Sequence, residues 1–413
     1  MATTWAQRYA QRTHSVRSSV IRELLKLTQR PEIISFAGGL PAPELFPIER
    51  FQQACHTVLE QDGPAALQYG PTEGYVPLRE LIARHMRRYG IVADVANILI
   101  TCGSQQALDL IGKLLIDAGD RVLVEAPTYL GALQAFNVYG AKYVSVPVDQ
   151  DGIRTDLLHE ALRTGPKFMY ILPNFQNPAG VTLSEERRLK LVLLANAYGI
   201  PIVEDDPYGQ LRYEGTHCTP LVVLDRNNVR SDREYLSGNV MYTSTLSKLL
   251  APGLRLGWIV APQEVIARLV QLKQGADLHT STFTQMVAYE AARDGFLDQH
   301  VRRLRAVYGE RRNIMLAALQ EFFPPEATWT RPAGGLFLWV TLPEGTDCEA
   351  LFQAALRKNV AFVPGAAFYA DERDGWHMRL NFSNSKPEQI REGIRRLGEV
   401  VKEQLRTPVM AGA

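Results

Sequence analysis

Short apolar runs alternate with helix-length amphipathic segments between about residue 75 and residue 295. The runs are rich in β-branched and aromatic residues and are bounded by turn-forming residues, a pattern typical of strands. Seven strands are predicted: Asn97–Ile100, Arg121–Val124, Lys142–Val146, Lys167–Ile171, Ile200–Val203, Asn239–Tyr242 and Leu256–Val260. Strands that alternate with helices form a mainly parallel sheet with helices on both faces. The pattern therefore predicts an α/β domain built on a mainly parallel, seven-stranded sheet.

A different pattern follows the last of these strands. Apolar residues recur at helical spacing from Leu297 to Phe322, which predicts one long amphipathic helix. Three further strands, mixed with helices, are predicted beyond this helix: Leu336–Leu342, Ala361–Pro364 and His377–Phe382. Such a mixture is typical of a smaller α+β domain. We therefore expect an N-terminal arm over residues 1–50, a large domain over 51–296 and a small C-terminal domain over 297–413.

Composition narrows the class of function. A chain of 413 residues exceeds the usual size of a single core, which agrees with more than one domain. The formal net charge of +1 gives no broad charged field, so neither nucleic acid nor a membrane is an expected partner. The four cysteines, Cys55, Cys102, Cys218 and Cys348, are scattered and indicate neither a disulfide framework nor a metal site. We expect a cytoplasmic protein that acts on a small molecule.

The first 22 residues leave an alternative location open. They carry Arg8, Arg12, Arg17 and Arg22 and no acidic residue, a composition that transit peptides share. The segment lacks a clear cleavage pattern and continues into the pattern of an ordinary amphipathic helix. A cytoplasmic location is therefore preferred over targeting to an organelle.

Polar residues follow the carboxyl ends of five predicted strands, which is where open α/β sheets bind ligands. After the first strand, Gly103, Ser104 and Gln105 open a helix whose N–H groups could bind a phosphate. Tyr129 follows the second strand, and Asn177 follows the strand that ends at Ile171. Taken singly, the structural explanation is preferred for each: a helix cap for Ser104, a core residue for Tyr129 and an ordinary turn for Asn177.

Acids and a lysine follow two more strands. One strand is followed by three acids and a tyrosine: Glu204, Asp205, Asp206 and Tyr208. The other is followed by two hydroxyls, a lysine and an arginine: Thr245, Ser247, Lys248 and Arg255. Acids at such a place could bind Mg²⁺, cap a helix or face a protonated ring nitrogen. Pyridoxal 5′-phosphate needs an amine, an anion site, a carboxylate, hydrogen-bond donors and a stacking ring, so it is the predicted cofactor.

With these residues the chain resembles fold-type-I pyridoxal-phosphate aminotransferases, and among them the 2-aminoadipate and kynurenine aminotransferases. The resemblance rests on motifs along nearly the whole chain: Ser19-Val-Ile-Arg-Glu-Leu-Leu-Lys26, Ser35-Phe-Ala-Gly-Gly-Leu-Pro41, Tyr69-Gly-Pro-Thr-Glu-Gly74, Gln176-Asn-Pro178, Pro332-Ala-Gly-Gly335 and Arg379-Leu-Asn-Phe-Ser383. It extends to the bacterial 2-aminoadipate aminotransferases of lysine biosynthesis. It implies a cofactor-binding large domain, a substrate-capping helix in the N-terminal arm and a homodimer with shared active sites.

The resemblance also implies the catalytic residues. Lys248 would bond to the cofactor's aldehyde and later move the substrate's α-proton. Asp205, rather than Asp206, would face the pyridine nitrogen, because it stands three residues before Tyr208 as in the family. Tyr208 would contact the ring oxygen of the cofactor.

Further cofactor contacts follow from the same resemblance. Asn177 would contact the ring oxygen as well, and Tyr129 would stack on the ring. The phosphate would be bound by Ser104, Gln105, Thr245, Ser247 and Arg255. Tyr69 would reach the phosphate in the neighbouring subunit, so that each active site needs both chains of the homodimer.

Substrate contacts are implied at both ends of a dicarboxylic amino acid. Arg379 would grip the α-carboxylate with its planar fork, beside Asn177 and Gly39. Arg22 would bind the distal carboxylate, although helical spacing puts it with Lys26 on a polar face, where a solvated arginine is the alternative. The expected reaction is a ping-pong transfer between 2-aminoadipate and a 2-oxo acid, with glutamate and 2-oxoglutarate as the pair. A broad aromatic, kynurenine or branched-chain aminotransferase is the alternative.

Two rival functions share this fold. The first is the aminotransferase-like effector domain of a transcription regulator, which follows a DNA-binding domain. About 30 residues precede the Ser35 motif here, without a helix-turn-helix pattern, so this rival is not preferred. The second is another pyridoxal-phosphate reaction, such as β-elimination or decarboxylation, which the fold alone does not exclude.

Overall fold

The computed structural model describes residues 3–14, 30–228, 236–371 and 375–406. A short strand, β1 (Ile34–Ser35), precedes the main sheet. The main sheet comprises β2 (Ile98–Thr101), β3 (Arg121–Ala126), β4 (Lys142–Asp149), β5 (Gly152–Ile153), β6 (Phe168–Ile171), β7 (Ile202–Asp205), β8 (Val240–Thr245) and β9 (Gly257–Val260). Its strand order is β2-β9-β8-β7-β6-β3-β4-β5. All seven predicted strands are therefore confirmed.

The sheet contains one strand more than the seven predicted. β5 is two residues long and pairs antiparallel with the end of β4, where Asp149 is opposite Gly152. So short a strand has no periodic pattern in the sequence, and it forms because the chain reverses directly after β4. β9 is also antiparallel to both of its neighbours, whereas the pairs among β3, β4, β6, β7 and β8 are parallel. The sheet is thus mainly parallel, as predicted.

Helices cover both faces of this sheet. They are α1 (Ile48–Ala66), α2 (Val76–Arg87), α3 (Ser104–Leu115), α4 (Leu130–Asn137), α5 (Leu158–Arg163), α6 (Glu185–Tyr198), α7 (Leu221–Asn228), α8 (Gln263–Asp277) and α9 (Thr282–Ala292). Val122 and Val124 of β3 share a buried cluster with residues of α3, α4 and α8, whereas Leu123 belongs to the cluster on the opposite face. Strands buried on both faces are apolar throughout, which explains their continuous apolar runs. Every helix in the described ranges is too short or too polar to span a membrane.

The C-terminal region begins with α10 (Phe296–Phe322), which confirms the predicted long helix. Its other elements are β10 (Thr328–Trp329), β11 (Phe337–Thr341), α11 (Cys348–Arg357), β12 (Val360–Ala361), β13 (Val363–Pro364), β14 (His377–Asn381) and α12 (Pro387–Arg406). β10, β11, β14 and β13 form an antiparallel sheet. The strand predicted over Ala361–Pro364 is divided, because β12 pairs in parallel with β1 while β13 pairs with β14. The proposed domain boundaries at residues 50 and 296 stay a prediction.

Candidate active site

A cavity of about 660 Å³ lies at the carboxyl ends of the parallel strands. Its wall is formed by residues that follow β2, β3, β6, β7 and β8, together with residues of β14 and of the segment after β1. Its lining includes Gly39, Ser104, Gln105, Tyr129, Asn177, Asp205, Tyr208, Thr245, Ser247, Lys248, Arg255 and Arg379. Of the predicted site residues that the structure describes, it therefore brings together all but Tyr69.

The start of α3 gives one end of this cavity the chemistry of an anion site. The helix begins at Ser104, and its N-cap residue, Gly103, has no side chain with which to cap the first N–H groups. A Cβ atom on Gly103 would lie 2.5 Å from Nη2 of Arg255, so the guanidinium lies directly beside the helix start. Arg255 has a left-handed φ of 54°, the kind of backbone strain that is concentrated at functional sites. A helix N-terminus and a guanidinium both favour a bound phosphate.

Hydrogen bonds fix the polar side chains around this anion site. Nε2 of Gln105 donates to the carbonyl oxygen of Gly131 at 2.7 Å, which ties the start of α3 to the start of α4. Oγ1 of Thr245 donates to the carbonyl oxygen of Leu256 at 2.8 Å and accepts from the backbone N–H of Ser247 at 3.0 Å. These bonds hold the turn from which Ser247 and Lys248 reach the cavity.

Asp205 presents an unpaired carboxylate oxygen in the cavity wall. It is the last residue of β7 and is 2% exposed. Its Oδ2 accepts a hydrogen bond from the Tyr170 hydroxyl at 2.7 Å, while its buried Oδ1 has no hydrogen-bond partner among the described residues. Burial raises the pKa of Asp205 to about 7. A protonated ring nitrogen would supply the missing partner, so this acid fits the pyridine nitrogen of pyridoxal 5′-phosphate.

The neighbouring acid, Asp206, forms hydrogen bonds with other residues. Oδ1 of Asp206 accepts from the backbone N–H of Gly209 at 2.8 Å, and its Oδ2 accepts from the Tyr242 hydroxyl at 3.3 Å. Asp206 is also absent from the cavity lining. Asp205 is thus the acid that faces the cavity, which is the arrangement that the resemblance implied.

Lys248 enters the cavity from the turn after β8. Its Nζ donates to the carbonyl oxygen of Gly39 at 2.7 Å. Burial, followed by the positive charges of Arg379 and Arg255, lowers the pKa of Lys248 from 10.5 to about 8. An amine with this pKa is partly unprotonated near neutral pH, and an aldehyde reacts with that form.

Arg379 lies on β14 as a buried, immobilised guanidinium. Nη1 donates to Oδ1 of Asn177 at 2.7 Å and Nη2 donates to the carbonyl oxygen of Ala37 at 2.6 Å. The guanidinium lies between two aromatic rings, 4.2 Å from the centre of the Phe337 ring and 4.9 Å from that of Phe368. Its Nε is buried without a partner in the described chain, and burial lowers the pKa of Arg379 to about 10. A carboxylate in the cavity would relieve this buried positive charge.

Two tyrosines supply rings to the cavity. Tyr129 lies against Gly131, where a Cβ atom would come 2.5 Å from the tyrosine's Cζ. Tyr208 is 4% exposed, and its ring meets that of Phe337 edge-on at 5.9 Å. Burial raises the pKa of Tyr208 above its ordinary value, so its hydroxyl remains a hydrogen-bond donor. A flat cofactor with a phenolate oxygen fits a site with such a ring and such a donor.

One predicted residue, Tyr69, lies apart from these, and another lies outside the described residues. Tyr69 is 78% exposed and is absent from the cavity lining; its ring packs edge-on against His279 at 5.8 Å. Arg22 lies outside the described residues. Tyr170 and Phe368 were not predicted at all, because a tyrosine within an apolar strand and a phenylalanine in a loop give the same pattern as ordinary core residues.

Known proteins of one family are similar to this chain over almost its whole length. Residues 40–397 match the model of the family described as aminotransferase class I and II. The aromatic-amino-acid aminotransferase 1 of Thermococcus litoralis is 46% identical over 96% of this chain and 95% of its own length. The 2-aminoadipate transaminase of Thermus thermophilus is 44% identical over 97% of this chain and 98% of its own length. The crystal structure of the α-aminoadipate aminotransferase LysN from Thermus thermophilus, complexed with N-(5'-phosphopyridoxyl)-L-leucine, superposes with a TM-score of 0.90 at 42% identity, over 98% of this chain and 99% of that chain.

Proposed function

Since the chain belongs to the class I and II aminotransferase family, whose cofactor is pyridoxal 5′-phosphate, we propose that it transfers the amino group of 2-aminoadipate to 2-oxoglutarate. One site would serve both half-reactions in turn, releasing 2-oxoadipate and then glutamate. The observation that carries the proposal is a single cavity in which Lys248, Asp205 and Arg379 meet. These residues supply the amine, the buried acid and the carboxylate-binding fork that such a transfer needs.

Lys248 is the proposed base. When bound, pyridoxal 5′-phosphate supplies an electron sink for the electron pair that remains when the substrate's α-proton is removed. The lowered pKa of Lys248, about 8, leaves part of the amine free to accept that proton from the α-carbon near neutral pH. The hydrogen bond from Nζ to the carbonyl oxygen of Gly39 holds the amine inside the cavity.

Arg379 and Asp205 are proposed to hold the two reacting partners in place. The guanidinium of Arg379 would bind the α-carboxylate, and its aromatic neighbours and the bond to Asn177 limit its rotation before substrate arrives. Oδ1 of Asp205 would hold a proton at the pyridine nitrogen. Tyr208 and Asn177 would donate hydrogen bonds to the phenolate oxygen, and the start of α3 with Arg255 would bind the phosphate.

The choice of 2-aminoadipate rests on a relative and on the family resemblance at Arg22. The relative from Thermus thermophilus that is 44% identical is named for this substrate. Among the described residues that line the cavity, the cationic side chains are Lys248, Arg255 and Arg379, and each already has a proposed task. A second carboxylate therefore needs another cation, and Arg22 is the residue that the family resemblance offers.

Aromatic amino acids are the second candidate. The relative from Thermococcus litoralis that is 46% identical is an aromatic-amino-acid aminotransferase. Leu40, Leu130 and Phe337 also line the cavity and would give an aromatic side chain apolar contacts. A site that takes both classes would have to move Arg22 away from the apolar side chain.

Replacing Arg22 distinguishes these substrates. We expect Arg22→Ala to lower kcat/KM for 2-aminoadipate by roughly 100-fold, because a distal carboxylate loses its partner in a desolvated site, and to leave leucine within about threefold. Steady-state assays of both amino acids with 2-oxoglutarate measure this. Arg30→Ala, which removes an exposed arginine close by in the chain, is the control and should change neither value. Equal losses for both amino acids would contradict the role of Arg22.

We also propose a homodimer with shared sites. Tyr69, the residue expected to reach a neighbour's phosphate, is exposed in the single chain, as is Leu67 at 74%. Exposed apolar side chains of this size are typical of surfaces that bind another protein. Tyr69 of each chain would complete the phosphate site of the other.

A further inference from the structure

The neighbour of Asp205 on the next strand is a tyrosine that no step above uses. Tyr170 of β6 is paired with Val203 of β7, two residues before Asp205. Side chains two positions apart on a strand point to the same face, so Tyr170, Val203 and Asp205 share one face of the sheet. A long side chain can reach the diagonal neighbour on such a pair, and the Tyr170 hydroxyl does so, donating to Oδ2 of Asp205 at 2.7 Å.

Tyr170 is held firmly in this position. It is fully buried, at 0% exposure, and its ring packs edge-on against Phe136 of α4 at 5.8 Å. Burial and the nearby carboxylate raise the pKa of Tyr170 well above its ordinary value, so the hydroxyl stays protonated and donates. Asp205 thus has one oxygen engaged by this bond and one, Oδ1, that is buried without a hydrogen-bond partner in the described chain.

We propose that Tyr170 is the positioning residue of Asp205. Its hydroxyl keeps Oδ1 of Asp205 directed at the pyridine nitrogen and keeps the shared proton on that nitrogen. The inference rests on the proposed role of Asp205. A hydroxyl that donates to a carboxylate stabilises its ionised form, and an ionised Asp205 is the form that leaves the proton on the ring. Without the hydroxyl, the proton moves from the pyridine nitrogen to the Asp205 carboxylate. This transfer leaves both buried groups neutral, and it is favoured because an unsolvated buried charge is unfavourable.

The test is the protonation state of the ring nitrogen, read by NMR. Apoprotein is loaded with pyridoxal 5′-phosphate carrying ¹⁵N in the ring, and the ¹⁵N shift is followed against pH. Tyr170→Phe removes the hydroxyl but keeps the ring and its contact with Phe136. Tyr143→Phe is the matched control, since it removes a half-buried tyrosine hydroxyl, bonded to Asn137 at 2.8 Å, from the same side of the sheet but outside the cavity lining. Asp205→Asn removes the carboxylate itself.

We expect a protonated ring nitrogen in the wild-type protein and in Tyr143→Phe, and an unprotonated one in Asp205→Asn. In Tyr170→Phe the equilibrium between the two forms should shift about tenfold toward the unprotonated ring, while the melting temperature of the apoprotein stays close to that of Tyr143→Phe. If the ¹⁵N shift of Tyr170→Phe depends on pH as in the wild-type protein, while that of Asp205→Asn does not, the proposal for Tyr170 alone is overturned. A wild-type titration in Asp205→Asn would overturn the proposed role of Asp205.

Discussion

Burial shifts the pKa values of three ionisable side chains in this site. It lowers the pKa of Lys248 to about 8, raises that of Asp205 to about 7 and lowers that of Arg379 to about 10. In each case the poorly solvated interior disfavours the charged form. Groups with such shifts are concentrated at functional sites, and these three residues also line one cavity.

The lowered pKa of Lys248 predicts how cofactor loading depends on pH. Only the unprotonated amine adds to an aldehyde, so the association rate of pyridoxal 5′-phosphate with the apoprotein should rise about tenfold per pH unit up to about pH 8 and then level off. Stopped-flow absorbance measures this rate.

A variant at Arg379 tests the cause of the shift. The charge of Arg379 helps to lower the pKa of Lys248, so Arg379→Met should raise that pKa and move the levelling-off to higher pH. Arg395→Met changes an exposed arginine on α12 that is absent from the cavity lining, and it serves as the control. The same midpoint in all three proteins would contradict a pKa set by Arg379.

Among the elements, the main sheet was predictable because its long strands other than β4 are buried on both faces. The two-residue β5 was not, since so short a strand carries no periodic pattern, and neither was the division between β12 and β13, since pairing partners elsewhere in the chain decide it. The polar residues that follow the carboxyl ends of these strands likewise predicted the chemistry of the cavity. The buried state of Arg379 could not be derived, because it depends on Phe337 and Phe368 in other segments, and only the resemblance identified that residue.

Close packing of β9 against the start of α3 predicts a variant that damages the anion site. A Cβ atom on Gly257 would lie 2.7 Å from backbone atoms of Gly103 and Ser104, so Gly257→Ala must displace the helix start. We expect at least a roughly tenfold loss of affinity for pyridoxal 5′-phosphate, and little change for pyridoxal, which lacks the phosphate. Fluorescence titration of the apoprotein with both compounds measures these affinities.

Gly253, four residues before Gly257 in the chain, offers a control. A Cβ atom there would meet nothing within 4 Å, so Gly253→Ala should bind both compounds as the wild-type protein does. An equal loss for the phosphate-bearing and the phosphate-free compound in Gly257→Ala would show a general disturbance of the site and would contradict a phosphate bound at α3.

At the scale of the whole molecule, one chain leaves part of its proposed site on the surface. Tyr69 contacts His279, next to Leu278, which is 55% exposed. A surface of this kind is explained if a second chain covers it and receives Tyr69 in its own cavity. The dimer would then be a requirement of the chemistry rather than a matter of stability alone.

Hybrid dimers test this arrangement. In a dimer of one Lys248→Ala chain and one Tyr69→Ala chain, shared sites would combine both substitutions in one site and leave the other site wild-type. We expect purified hybrids to show about half the activity of the wild-type dimer, well above that of either parent variant. Differently tagged chains, co-expressed and purified in two affinity steps, provide the hybrid. Activity no higher than the mean of the two parents would contradict the sharing of Tyr69.

This cavity is proposed to exchange an amino group for a keto group on a dicarboxylic amino acid. A single half-reaction tests it most directly: the purified protein, loaded with pyridoxal 5′-phosphate, is mixed with 2-aminoadipate and no 2-oxo acid, and the products are quantified by mass spectrometry. We expect one equivalent of 2-oxoadipate and one of pyridoxamine phosphate per bound cofactor, no free ammonia, and no product from Lys248→Ala. Ammonia or carbon dioxide, or an unchanged cofactor, would contradict it.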